Sequence, residues 1–202
     1  IECVESHAKI GLPTDCAAVL LMEVDGHAAQ VEEQTQQIAA IARQGGAREV
    51  RVAASAAEGL QLASARRTAF SALARLAPTV VLEDVTVPRS ALAQMVGYVQ
   101  EVGQRHQVKV GTFGHMGDGN LHPTFLCDER DEEEMARVER ALEEVFAYAV
   151  ELGGTITGEH GVGLAKKPFL PQQLGPVGMD ILRRVKASFD PKGILNPRNM
   201  FD

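Results

Sequence analysis

Two histidines seven residues apart and a glutamate-histidine pair further on are the residues of this chain whose types and spacing could do chemistry. Positions 111–122 read Gly-Thr-Phe-Gly-His-Met-Gly-Asp-Gly-Asn-Leu-His, and 158–163 read Gly-Glu-His-Gly-Val-Gly. If Asp118 and Gly119 are the central residues of a type I′ hairpin turn, then His115 opposes His122. Directly opposed residues share a sheet face with Cβ atoms about 4.5–5.5 Å apart, close enough for two imidazoles to converge on one ion. With Glu159 they make a two-histidine, one-carboxylate set, which suits a catalytic divalent cation. Nitrogen and carboxylate ligands do not choose among zinc, manganese and iron. The same residues also read as cross-strand polar neighbours with a surface carboxylate.

His160 follows Glu159 directly, so in an extended loop the two side chains point to opposite sides. That divides the work. Glu159 is the expected ligand, and His160 is the expected general base, imidazole being the side chain suited to taking a proton at physiological pH. A histidine bonded to local backbone is the plain alternative. Neither glycine-rich stretch has the spacing of a phosphate-binding loop, so the glycines are read as permitting positive φ and close approach of a flat ligand. His7, His27 and His106 are read as ordinary surface groups, and the acidic run 128–134 as a solvated helix start.

The elements that must position these residues follow from periodicity. Residues 17–24, a short apolar run, and 49–53, centred on Val50 and Val52, predict two strands, and 79–87 predicts a third. Helical patterns cover about 27–43, 54–76, 90–105, 131–152 and 177–189. Segments 108–115 and 121–127 are the hairpin arms. Strands and helices in this order predict an α+β fold: a ferredoxin-like antiparallel sheet with helices packed on it, plus a C-terminal helical segment, as one domain over residues 1–202.

Composition removes whole classes of function. With 20 basic and 27 acidic residues the net charge is −7, which gives no electrostatic case for nucleic acid or an anionic membrane surface. No apolar run is long enough to span a bilayer. Cys3, Cys16 and Cys127 form no C-x-x-C pair and read as reduced thiols of an intracellular protein. The opening at Ile1 reads as the middle of a longer protein.

Taken together, 114–122, 158–163 and the Asp-Pro-Lys-Gly-Ile-Leu-Asn-Pro of 190–197 resemble the C-terminal domain of FAD-linked oxidases of the vanillyl-alcohol oxidase superfamily, in particular those acting on glycolate and D-lactate. The resemblance implies a lid over the reactive ring of an FAD held mainly by an N-terminal domain. It also implies oxidation of a small D-2-hydroxy acid, glycolate or D-lactate, with metal on His115, His122 and Glu159 and with His160 as base. It makes Arg66 the partner of the substrate carboxylate and places Asn120 and Asn196 near the flavin. Leu82 stands where some dicarboxylate-using relatives have a lysine, which favours the smaller acids. The implied partners are the FAD-binding domain and either other oxidase subunits or an electron acceptor. The implied location is cytoplasmic or peripheral to the inner face of the membrane. A metal-dependent hydrolase or stand-alone metal-binding module on the same three ligands is the rival reading.

Overall fold

The computed structural model describes residues 1–201, which divide into two compact units, Ile1–Ala72 and the remainder from Leu73. The first unit is helical: α1 (Glu2–Ala8), α2 (Ala28–Gln44) and all but the last residue of α3 (Ala56–Leu73). Helix α1 lies where no regular element was expected. It is one short helix closed by Glu5, whose carboxylate accepts the amides of Ile10, Gly11 and Leu12.

Neither of the two strands expected at 17–24 and 49–53 forms. A strand exists only as part of a ladder, and among the described residues neither run has a partner to pair with. The apolar content that suggested burial is instead exposed: Leu20 and Met22 are 63% and 53% accessible.

The second unit carries β1 (Thr79–Leu82), β2 (Val85–Thr86), α4 (Leu92–Arg105), β3 (Lys109–His115), β4 (Asn120–Cys127), α5 (Glu132–Glu151) and α6 (Leu170–Phe189). The fold is α+β, with a small antiparallel sheet packed on helices. Strand β4 is central, pairing with β3 along one edge and with β1 and then β2 along the other. The single strand expected at 79–87 is divided because Pro123 has no N–H to return to the Glu83 carbonyl, although Glu83 donates to the Pro123 carbonyl at 3.0 Å. The register does not slip across this break, which sets Asp84 opposite His122.

The two faces of β4 differ in kind. Leu121, Phe125 and Cys127 pack with Val85 into the core, against the stripe Met95, Val99 and Val102 of α4 and Val138, Ala141, Val145 and Ala149 of α5. These helix positions recur every three or four residues, so each helix turns one apolar side to the sheet. Helix α5 starts as its acidic run predicts, with the Asp131 side chain accepting the Glu134 amide. Helix α6 begins seven residues earlier than expected and is broken at Gly175, where φ is +63° before Pro176; the expected helix is the part after that break. The opposite face of β4 carries Asn120, His122 and Thr124, which are polar, and ends on Leu126.

Candidate functional site

The hairpin turn is longer than expected. His115 opposes Asn120, and His122 opposes Phe113, so 116–119 form a four-residue connection. A type I′ turn needs positive φ at both central residues, and only Gly119 adopts it, at +77°. The register therefore moves by two residues from the one expected. Because side chains alternate with a period of two, His115 and His122 remain on one face as diagonal neighbours. Their rings lie 5.6 Å apart at 87°.

The second loop reaches the same face by continuing the sheet. Thr155 exchanges both backbone hydrogen bonds with Thr86 of β2, at 3.1 and 2.7 Å, which docks residue 155 beside the strand. Buried Ile156 anchors the next step, and its amide donates to Gln173 Oε1 at 2.9 Å. The chain then bends over Asp84. The amides of Gly158, Glu159 and His160 all donate to Asp84 Oδ2, at 2.6, 2.7 and 3.2 Å. Gly158 is needed for this approach: a Cβ there would sit 2.8 Å from Asn120 Cγ and would also meet Thr86 Oγ1.

Glu159 Oε1 is the point of convergence. It lies 3.1 Å from His122 Nε2, 3.8 Å from His115 Nε2 and 3.8 Å from His160 Nε2. One ligand atom from each of His115, His122 and Glu159 falls within 4.8 Å of the others. His160 stacks on His122 with ring centroids 5.2 Å apart, so Glu159 and His160 do not point to opposite sides as an extended loop requires. The bend around Asp84 abolishes that alternation. His106 also departs from the surface reading, since its Nε2 lies 2.8 Å from Glu144 Oε1 and its side chain is mostly enclosed.

His122 is buried and His115 and Glu159 are half exposed, an asymmetry that shapes the electrostatics. Burial pushes the His122 imidazole below its ordinary pKa, against the charge of Glu159. The Glu83 carbonyl also opposes that shift, although no full hydrogen bond joins it to His122 Nδ1. A buried imidazole whose protonation is disfavoured by burial, facing a carboxylate and beside a second imidazole, is a donor set that fits a divalent cation.

Sequence reasoning missed the support beneath this cluster. Asp84 is fully buried and Lys166 is 3% exposed, with the Lys166 ammonium on Asp84 Oδ1 and 3.2 Å from Glu83 Oε2. Burial works to raise the Asp84 carboxyl, and the Lys166 ammonium with the amides of Glu159 and His160 overcomes it, holding the group well below the usual carboxylate range. Burial prevails at Glu83, whose carboxyl is raised despite Lys166. The available signal was Glu83-Asp84 inside an otherwise apolar strand, since two adjacent carboxylates there need a buried cation.

Asn120 is buried on the site face, and its Oδ1 has no hydrogen-bond partner among the described residues. Thr86, Asp118, Asn120, Thr155, Thr157, Gly158 and Glu159 line an open cleft beside the cluster. Asn196 lies on the exposed C-terminal tail in the left-handed region, with φ +45°. Arg66 is half-buried on α3 in the first unit. Among the described residues no helix is long and apolar enough to cross a membrane.

The family pattern described as FAD linked oxidases, C-terminal domain, matches residues 1–200. Among curated proteins the chain is 52% identical to the glycolate oxidase subunit GlcD of Bacillus subtilis (strain 168), over 98% of its own length and 42% of that protein. It is 36% identical to the subunit of the same name from Escherichia coli (strain K12), over 98% of this chain and 40% of the relative. A D-lactate dehydrogenase of Anaerostipes hadrus is 37% identical over 91% of this chain and 39% of that protein. The chain thus spans about two-fifths of the length of these relatives.

Proposed function

The chain belongs to the family of FAD linked oxidase C-terminal domains, and from that premise we propose that it is the substrate-side domain of an FAD-dependent D-2-hydroxy-acid dehydrogenase acting on glycolate or D-lactate. The observation that carries the reading is the convergence of His115, His122 and Glu159, with His160 stacked against them. The printed names of the relatives, glycolate oxidase subunit and D-lactate dehydrogenase, support the substrate class. No observation favours the hydrolase reading.

In this proposal His115, His122 and Glu159 hold a divalent cation, which when bound supplies Lewis-acid polarisation of the substrate hydroxyl and carboxylate. Flavin, held mainly by residues outside this chain, supplies the two-electron acceptor. His160 takes the hydroxyl proton on a ring nitrogen as the α-carbon loses hydride, so the C–H and O–H bonds break and the product is the 2-oxo acid. Asn120 lines the cleft, and its role near the flavin rests on the resemblance. Arg66 as partner of the substrate carboxylate, and Asn196 as a flavin contact, rest on the resemblance alone.

The test is anaerobic mixing of the full-length protein with glycolate and with D-lactate, following bleaching of the flavin. Bleaching by either acid is expected. In His160→Ala it slows about 10²- to 10⁴-fold, the scale of a lost general base, with metal and flavin retained. A flavin that neither acid reduces would overturn the proposed activity.

A further inference from the structure

We propose that Asp84 is the positioning residue of this centre: its buried carboxylate gathers the backbone of 158–160 and so presents Glu159 to His115 and His122. The inference rests on the metal reading above. Three consecutive amides converging on one oxygen form a concave nest of the kind that binds anions, and here the anion belongs to the chain itself. Thr157 Oγ1 adds hydrogen bonds to both carboxylate oxygens, at 3.0 and 3.2 Å, and receives the Gly161 amide at 2.9 Å.

Every bonded partner of Asp84 is a donor, and Lys166 takes Oδ1, the oxygen that the loop amides leave. The carboxylate is therefore occupied on both oxygens and fully enclosed, which fits it for holding a loop rather than for touching substrate. The segment it holds contains Gly158 and Gly161, which lose much backbone freedom when ordered, so an unanchored Glu159 would be widely dispersed. Asp84 also stands opposite His122 on the sheet. A single register thus sets both the strand ligand and the support of the loop ligand.

Asp84→Asn tests this with little change of shape. An amide must turn its NH₂ toward one of the donors, so either the loop amides or Lys166 lose their acceptor. Lys166 keeps Glu83 at 3.2 Å, so no buried cation is stranded and the chain is expected to fold. In the full-length protein, Zn²⁺ affinity is measured by chelator competition, the Co²⁺ form by visible absorption, and folding by thermal denaturation. Asp84→Asn is expected to weaken Zn²⁺ binding about 10- to 100-fold, as loss of an outer support does, and to alter the Co²⁺ band while the protein still unfolds cooperatively. Thr157→Val, which changes no charge, should weaken Zn²⁺ binding by a smaller factor, and it decides the matter alone if Asp84→Asn fails to fold. Wild-type Zn²⁺ affinity in these variants, with affinity lost in His115→Ala, overturns the role of Asp84 and leaves the metal reading standing. A wild-type protein that binds neither Zn²⁺ nor Co²⁺ overturns both.

Discussion

The two loops that meet at Glu159 are held in place by different physics. His115 and His122 are held by the sheet, and β4 is buried along its whole length with ladder partners on both sides. Glu159 and His160 stand on a glycine-rich bend whose order comes from side chains, chiefly Asp84. A ladder distributes its support over many bonds, so losing one shifts little. A bend gathered on one carboxylate concentrates its support and can be released by one substitution. The strand half is the fixed reference of the site, and the loop half is the adjustable part.

The sharpest way to break this contrast is within the strand half itself. His122→Ala removes a buried side chain as well as a ligand, so it should cost about 1–3 kcal/mol of stability together with metal binding. His115→Ala removes an exposed ligand, so metal binding should fall while stability stays within about 0.5 kcal/mol. Chemical denaturation with metal titration on both variants separates the two; equal stability losses would mean that burial does not distinguish these histidines.

On the loop side, Gly158→Ala should cost about 1–3 kcal/mol by overpacking against Asn120 and Thr86 and should lower Zn²⁺ affinity as the bend is displaced. Unchanged stability and affinity would show that the bend has slack.

The smallest effect is in pH. Burial lowers the His122 pKa in the folded state. As pH falls through the unfolded value of about 6.5, the unfolded chain takes up a proton that the folded imidazole refuses. Metal-free protein should therefore lose stability over that window and stop losing it below the folded pKa. His122→Ala should lack this contribution, which denaturation midpoints near neutrality and at mildly acid pH would reveal.

Much of the cluster was legible because its residues are rare types hemmed by glycine: His115, His122, Glu159 and His160 stand out by type and spacing, although spacing left a polar-neighbour reading open and the resemblance was needed to assign them roles. The registry error at the turn did no harm, since a shift of two preserves the face. Asp84 was not legible, because a buried carboxylate inside a strand has the same letter as a solvated one, and its counter-ion Lys166 lies 82 positions along the chain. In the fold, helices α4 and α5 were readable from their apolar stripes. The runs at 17–24 and 49–53 misled because an apolar segment announces a wish for burial without naming a partner strand.

Lys166 carries a further consequence, in chemical reactivity. An amine sealed against Glu83 and Asp84 is inaccessible, and acylating reagents need a reachable one. Its neighbour Lys167 is half exposed. The two adjacent lysines thus differ in reach: Lys167 is half exposed with the loop in place, and Lys166 becomes reachable only when the loop has left its anchor.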